Sequence, residues 1–130
     1  MLEDIDVNVL EAVLNALPVE VSFINASDEV VYFNKDGDRI FPRPRSVIGR
    51  KVQQCHPSKS LHKVTKILEA FKSGDRAVAE FWITLKGKQI FIRYFPVRDH
   101  DGKYLGTLEV SQDITDIKNI KGEKRLLDWK

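Results

Sequence analysis

The cysteine and histidine residues are the first side chains in this sequence that could carry chemistry. The one cysteine, Cys55, is followed directly by His56, and His62 lies a few residues further on. A thiolate and two imidazoles are ligands that zinc and other transition metals accept. Adjacent Cys and His side chains rarely share one ion, and the step to His62 fits no standard zinc finger. We therefore predict no metal site. The weak candidates for ligands are Cys55, His56 and His62, and a dimer could complete their ligand set. In the simpler interpretation, Cys55 is a small buried hydrophobe and His56 is a loop residue.

Glu109 is the carboxylate whose surroundings conflict most with its charge. It stands between Leu108 and Val110 in a strand-like run. If it faces an apolar interior it must be paired or protonated, because uncompensated burial of a charge is costly. Tyr94, His56 or a cationic ligand could supply the partner. If Leu108 and Val110 form the buried face instead, Glu109 lies in solvent, and the sequence leaves both alternatives open.

Four basic residues lie close together in an irregular, proline-containing stretch: Arg43, Arg45, Arg50 and Lys51. Such a group could attract an anionic ligand, or it could be a solvated loop. The chain has no phosphate-binding glycine loop, no G-x-S-x-G and no H-E-x-x-H motif, so we predict that it is not an enzyme.

Composition narrows the class of protein. The 130 residues suit one domain, and 42% hydrophobic with 31% charged residues is ordinary globular composition. A net charge of +2, with 21 Lys and Arg spread along the chain, argues against a nucleic-acid partner. The lone cysteine suits a reducing compartment. No apolar run approaches the ~20 residues of a membrane span, and no signal peptide is recognisable. We therefore expect a cytoplasmic domain without a membrane partner.

The elements that position these residues follow helix and strand periodicities. Residues 4–17 have an amphipathic helical pattern that Pro18 ends. Alternation predicts strands over 19–25 and 30–34, and 35–59 are irregular. A second helical stripe covers 61–72. Three further strands are predicted over 77–85, 89–98 and 104–112, with Lys86-Gly87 as a tight turn between the first two.

The two faces of the last hairpin differ. A two-residue turn places Leu85 opposite Lys88, which puts six side chains on one side of the sheet. We expect this apolar side to face the interior: Ala79, Phe81, Ile83, Ile90, Ile92 and Tyr94. The other side should be partly covered by the N-terminal helix or a partner chain, because it is rich in aromatics: Glu80, Trp82, Thr84, Phe91, Arg93 and Phe95.

This order of elements, over residues 10–116, resembles a PAS domain. The signals are the first hairpin (INASDEVVYFN), the IGRK step at 48–51, His56-Pro57 before the helix, and FPVRDHDGKYLGTLEVSQDIT at 95–115. The stretch from Cys55 onward also resembles PAS modules of bacterial and archaeal proteins that carry a hemerythrin-like domain. The resemblance implies an α+β fold, with a five-stranded antiparallel sheet, short helices on one face and an N-terminal amphipathic helix. It divides the chain into an N-terminal helix (1–17), a PAS-like sensory domain (18–116) and a C-terminal linker segment (117–130).

The resemblance also implies a site. PAS domains leave a cavity between sheet and helices, and it would place Thr107, Glu109 and Ser111 toward that cavity. Candidate ligand-binding residues here are Phe81, Ile83, Ile90, Ile92, Tyr94, Glu109, Cys55 and His56. A change at the cavity would pass through the C-terminal end of the sheet, at Asp113, Ile114 and Thr115.

Three functional hypotheses stay open at this stage. The first is a sensory module that binds a small ligand, of unknown identity, in the cavity. The second is a ligand-free module that forms a homodimer or docks another protein. The third is a haem or metal sensor. Haem-binding PAS domains place their proximal histidine on this helix, but His62 lies opposite the apolar stripe of 61–72. Gln54-Cys55-His56-Pro57 is not the cysteine motif of the flavin-binding subclass.

Overall fold

The domain consists of one five-stranded antiparallel sheet with helices beside it. The structure is a computed structural model and describes residues 1–129. The strands lie in the order β2-β1-β5-β4-β3. The α+β architecture predicted from the sequence is confirmed. The elements are α1 (Val7–Ala16), β1 (Glu20–Asn25), β2 (Val30–Phe33), α2 (Ser58–Ser73), β3 (Ala79–Leu85), β4 (Lys88–Arg98) and β5 (Tyr104–Asp113), with short 3₁₀ turns at Leu2–Asp4, Arg45–Val47, Val52–Gln54 and Ile117–Asn119.

The helix boundaries follow from capping residues. Helix α1 begins at Val7, later than predicted, because Asp6 caps it by accepting a 2.8 Å hydrogen bond from the Asn8 amide. Helix α2 begins at Ser58, earlier than predicted, directly after the extended Pro57. It ends at Gly74, whose left-handed backbone (φ 81°) lets its N–H reach the Phe71 carbonyl at 3.2 Å.

The register of the β3–β4 hairpin matches the sequence-based prediction. Leu85 pairs with Lys88, and the pairing continues to Ala79 opposite Tyr94. Both turn residues, Lys86 (φ 51°) and Gly87 (φ 78°), have the positive φ angles that match the twist of the strands. The inner face of the sheet is therefore set by local chemistry at this turn.

Helix α2 covers the inner face of the sheet and divides the core into two clusters. Val64 and Leu68 pack in the first cluster, and Phe71, which is fully buried, packs in the second. The first contains Ile24, Val30, Phe33, Val47, Val52, Val64 and Leu68, and the second contains Phe71, Ile90, Ile92 and Tyr94. Burial of these side chains is the main stabilising contribution that the fold displays.

The outer face of the sheet is covered unevenly, and helix α1 is largely exposed. Val21 and Val110 are buried on this face, at 7% and 8% exposed. Trp82 is 64% exposed, so the N-terminal helix does not cover that part of the sheet as one alternative predicted. Arg93 lies over Phe91 and Phe95, with its guanidinium carbon 4.8 and 5.6 Å from the two ring centres. Helix α1 buries no residue. No helix within residues 1–129 has both the length and the apolar character needed to cross a membrane.

Asn34, at the end of β2, ties α1 to the sheet. Its carboxamide accepts from the Val21 amide at 2.7 Å and donates to the carbonyls of Leu14 (2.8 Å) and Val19 (3.1 Å). Because Asn34 is 1% exposed, these hydrogen bonds satisfy a polar group that would otherwise be buried without partners. Helix α1 is thus anchored at its C-terminal end while its body faces solvent.

Candidate functional site

A cavity of about 370 Å³ lies between the inner sheet face and the N-terminal half of helix α2. Its walls combine aromatic side chains with a few buried polar groups. They are Phe41, Pro42, Arg43, His56, Pro57, Ser60, Lys63, Val64, Phe81, Ile92, Tyr94 and Glu109. A wider groove of about 820 Å³ runs beside α1 and β2, but its rim is formed by solvated charges such as Lys35, Asp36 and Asp38. We take the first cavity as the candidate site because polar groups converge in it.

Glu109 is the buried charge of this cavity. It is 7% exposed at the centre of β5, where it pairs with Ser22 of β1 and Tyr94 of β4. The Arg43 Nη2 atom donates to both carboxylate oxygens of Glu109, each at 3.2 Å. The predicted alternative in which Glu109 faces solvent is therefore wrong. Its charge is balanced by Arg43, a residue that the sequence suggested only as part of a loop patch.

His56 enters the cavity wall from the segment before α2. Its Nδ1 lies 3.3 Å from the Ser60 hydroxyl, and its Nε2 is buried without a partner within the described residues. Burial lowers the pKa of His56 below its usual value, while the nearby Glu109 carboxylate opposes that shift and Arg43 adds to it. The imidazole is therefore neutral at neutral pH.

Tyr94 and Phe81 form the aromatic wall. Their rings stack with centroids 5.9 Å apart and planes 24° apart. Burial raises the pKa of the Tyr94 phenol far above its usual value, and the Glu109 carboxylate raises it further. Tyr94 therefore keeps its proton at all physiological pH values. At the rim, the Lys63 ammonium lies 4.2 Å from the centre of the Phe81 ring.

A second buried ion pair holds the wall segment that carries Phe41 and Arg43. The Glu20 carboxylate accepts from the amides of Ile40 (2.6 Å) and Phe41 (3.0 Å). The Arg39 side chain donates to the Asn34 carbonyl at 2.7 Å and lies 3.6 Å from Glu20. Both charged side chains are 3% exposed. The sequence alone did not predict this network. The alternation of apolar and polar residues in β1 predicts that the Glu20 side chain faces solvent.

The structure places the predicted cavity residues in two groups. Five line the cavity: Phe81, Ile92, Tyr94, Glu109 and His56. The other three do not, which corrects their predicted placement. Ile83 is 38% exposed because β3 is an edge strand with a neighbour on one side only. Ile90 is covered by the cluster around Phe71, and Cys55 packs against the first core cluster instead.

Only one member of the basic patch reaches the site. Arg43 points inward, whereas Arg45 is exposed and pairs with Asp36 at 2.7 Å. Arg50 and Lys51 are exposed as well, and the Lys51 ammonium donates to the Ser27 carbonyl. The patch is therefore not one anion-binding surface. Arg43 differs from its neighbours because Glu20 fixes the preceding backbone, a contact between distant parts of the chain.

The Asp113-Ile114-Thr115 segment closes back on the start of β4. Asp113 accepts from the Thr115 amide (3.0 Å) and hydroxyl (2.6 Å), and the Thr115 hydroxyl oxygen accepts from the Gln89 amide at 3.0 Å. The hydrogen bonds from Thr115, with a smaller contribution from the Lys88 charge, hold the pKa of Asp113 below its usual value. The end of β5 is thus clamped to the neighbouring strand.

Within residues 1–129, no three His, Cys, Asp or Glu side chains are placed to hold a metal ion together. His62 is exposed on α2, outside the cavity. The His62 side chain is therefore not placed to ligate a haem or metal ion inside the cavity.

Comparison with known proteins places these features in a family. A sequence model of the PAS domain matches residues 10–115. The C-terminal domain of a protein from Streptococcus mutans is 35% identical, with a TM-score of 0.82, over 88% of this chain and 89% of that one. A sensory box sensor histidine kinase from Vibrio cholerae (14% identity, TM-score 0.59, 83% and 90% coverage) and a PAS domain from Colwellia psychrerythraea (16%, 0.59, 85% and 98%) share the fold. A search of curated proteins found no match.

Proposed function

Because the chain belongs to the PAS domain family, whose members are typically sensory signalling modules, we propose that it senses a small ligand bound in the cavity between the sheet and α2. One observation carries the proposal. The buried Glu109–Arg43 pair and the stacked Phe81 and Tyr94 rings line one cavity of about 370 Å³. Ligand pockets are typically apolar with a few converging polar groups, and this cavity has that character.

The same strand that carries Glu109 would carry the signal. β5 ends at Asp113, four residues beyond Glu109, and there the Asp113–Thr115 clamp holds it to β4. A ligand that binds one arrangement of the Glu109–Arg43 pair more tightly than another shifts the position of β5. That shift would pass to residues 114–129, the segment that follows the sheet, and would change how ordered this segment is. The cytoplasmic location remains a prediction.

Native mass spectrometry of gently purified protein, with an absorbance scan of the same sample, tests this proposal. We expect a mass excess over the bare chain that is lost in Arg43→Met, whereas the exposed Arg45→Met control keeps it. A haem spectrum, or metal found by elemental analysis, would support the haem or metal hypothesis instead. A bare chain that also binds nothing from a small-metabolite library would contradict the proposal.

Dimerisation is the second candidate function, and exposed apolar side chains favour it. Val9 and Val13 of α1 are 55% and 53% exposed, and Trp82 on the outer sheet face is 64% exposed. Contiguous exposed apolar surface commonly marks an interface. Light scattering should show a homodimer at protein concentrations up to ~100 μM. A monomer throughout that range would contradict this function.

A further inference from the structure

The two edges of the sheet differ in how their backbone groups are satisfied. At one edge, the loop after β2 folds back over that strand: the Val30 amide donates to the Arg50 carbonyl at 3.0 Å, and the Val30 carbonyl accepts from the Gly49 amide at 2.7 Å. At the other edge, β3 pairs with β4 alone within residues 1–129. Native proteins usually cover or disrupt an exposed edge, because its free amides and carbonyls can pair with another chain. β2 is covered in this way, whereas β3 is not.

The outward side of β3 carries a row of free backbone groups. In a two-residue hairpin the residues that flank the turn exchange hydrogen bonds, so Leu85 bonds to Lys88 and every second residue before Leu85 also bonds to β4. The β4 residue opposite Thr84 is Gln89, whose carbonyl accepts from the Ile114 amide at 2.9 Å on the side of β5, as this alternation requires. The amides and carbonyls of three residues therefore point to the free edge: Glu80, Trp82 and Thr84.

β3 also lacks the devices that keep edge strands apart. Its seven residues (AEFWITL) include no proline and one charge, Glu80, and its pairing with β4 has no bulge. Trp82 and Ile83 are exposed apolar side chains on its two faces. Free backbone groups together with apolar side chains are the features that a strand added to a sheet edge binds.

The sequence of β3 is complementary to itself when two copies run antiparallel. Trp82 is the middle one of the seven residues, so a two-fold axis beside Trp82 pairs every residue of one strand with a residue of the other. On the inner face, Phe81 then lies opposite Ile83 of the second copy. Ala79 lies opposite Leu85 of the second copy. The inner-face pairs are therefore all apolar, and cross-strand pairs of this kind stabilise a sheet.

The outer face of the paired strands is matched as well. Trp82 lies opposite Trp82 of the second copy, and Glu80 lies opposite Thr84, whose hydroxyl can donate to the carboxylate. Lys86 of the second copy is the diagonal neighbour of Glu80, within reach of a long side chain. No like charges therefore face each other along Ala79–Leu85, and each outward-pointing residue exchanges backbone hydrogen bonds with its partner.

Resting on dimerisation, the second candidate function, we propose that the β3 edges of two copies of this chain pair antiparallel about Trp82 and form one continuous sheet. This interface uses backbone hydrogen bonds and is separate from the exposed stripe of α1. Phe81 also lines the cavity. Ile83 of the second copy therefore lies beside the cavity rim, so the dimer interface and the cavity share β3.

Disulfide cross-linking tests the position of the axis. In a Cys55→Ala background, Trp82→Cys should form a cross-linked dimer under mild oxidation, because paired Cα atoms of antiparallel strands lie about 5.5 Å apart, within disulfide range. Glu80→Cys should not, since the two copies of that position lie more than about 13 Å apart. A mixture of Glu80→Cys and Thr84→Cys chains should cross-link, because these positions face each other.

Trp82→Lys tests the same surface without cysteine chemistry. It puts like charges opposite each other at the axis, at an exposed position, so the dimer dissociation constant from light scattering should rise at least about tenfold. The matched control, Leu126→Lys, changes an exposed apolar residue outside the sheet and should leave the dissociation constant unchanged.

Other outcomes separate this interface from dimerisation itself. A wild-type dimer without the Trp82→Cys cross-link, or equal cross-linking at Trp82 and Glu80, would overturn the β3 edge and leave dimerisation to the stripe of α1. A monomer throughout the concentration range would overturn both. The mass measurement on purified protein decides ligand binding separately.

Discussion

The Glu109–Arg43 pair is the residue-scale feature on which the site depends. The two side chains are both largely buried and come from positions 66 residues apart. Their attraction offsets the loss of hydration that each charge suffers on burial. The pair therefore adds little net stability, but it constrains the sequence. Removing either charge leaves the other buried without a partner, which is destabilising.

Glu109→Gln leaves the Arg43 guanidinium buried without a counter-charge. We expect it to lower the free energy of unfolding by about 2–4 kcal/mol, toward the lower end measured for fully buried pairs because Arg43 keeps some exposure. Urea denaturation at constant m-value measures the loss.

Asp36→Asn is the matched control, since it breaks the exposed Arg45–Asp36 pair and should change stability by less than about 0.5 kcal/mol. The double variant Glu109→Leu/Arg43→Met should recover much of what Glu109→Gln loses. Equal losses in Glu109→Gln and Asp36→Asn would contradict the burial of Glu109.

His56 gives the site a pH dependence. Its pKa is lowered in the folded state, mainly by burial, so the unfolded chain takes up a proton first as the pH falls. The contribution of His56 to stability is therefore present above about pH 6.5 and is lost as the pH falls toward the folded-state pKa.

NMR titration of the His56 ring should give a pKa below the usual value. The free energy of unfolding should fall less between about pH 7.5 and 5.5 in His56→Gln than in the wild type. The exposed His62→Gln variant should keep the wild-type loss. A His56 pKa above the usual value would contradict the buried, neutral imidazole.

At the scale of elements, the site is formed where separate segments are held against one sheet. Helix α2 supplies one wall, β4 and β5 supply the floor, and the segment around Phe41 supplies the third side. That segment has no regular structure of its own. Its position is set by the Glu20 carboxylate on β1, which binds two successive amides. The opening of the cavity therefore depends on a side chain outside it.

The end of β5 is the element at which we expect the proposed signal to leave the sheet. Asp113→Asn weakens the acceptor for the Thr115 amide and hydroxyl, so amide exchange at Ile114 and Thr115 should accelerate. Because the pKa of Asp113 is lowered, its contribution to stability is present above the unfolded value of about 3.9 and is lost as the pH falls below it.

Hydrogen-exchange NMR measures the clamp, and acid titration of stability measures the linkage, which should flatten in Asp113→Asn. The exposed Asp101→Asn variant, in the loop before β5, is the control and should leave exchange at Thr115 unchanged. Unaltered exchange in Asp113→Asn would show that the clamp does not hold the end of the sheet.

At the scale of the whole molecule, the inner face of the sheet is closed, whereas the outer face is exposed at the β3 edge around Trp82. The inner face is covered by α2, while α1 is anchored only at its C-terminal end and buries no residue. Leu10 and Leu14 of α1 are partly covered, whereas Val9 and Val13 are exposed and available to a second copy of the chain.

The double variant Val9→Glu/Val13→Glu places two charges on the exposed stripe of α1. If α1 forms the proposed dimer interface, the dimer should dissociate at least about tenfold more readily, because each charge would be buried on association. Light scattering over a concentration series measures this. Leu127→Glu, at another exposed apolar position, should leave the dimer unchanged; equal weakening by both variants would argue against α1.

Local sequence patterns determined the elements, the β3–β4 register and the family, because periodicity, the Lys86-Gly87 turn and the closing motif act over a few residues. The tertiary structure decided which individual side chains are buried, paired or exposed. It turned Glu109 inward, selected Arg43 from four basic residues and exposed Ile83 on an edge strand. These outcomes could not be read from the sequence, because the partner of a buried charge and the cover over a strand come from segments far apart in the chain.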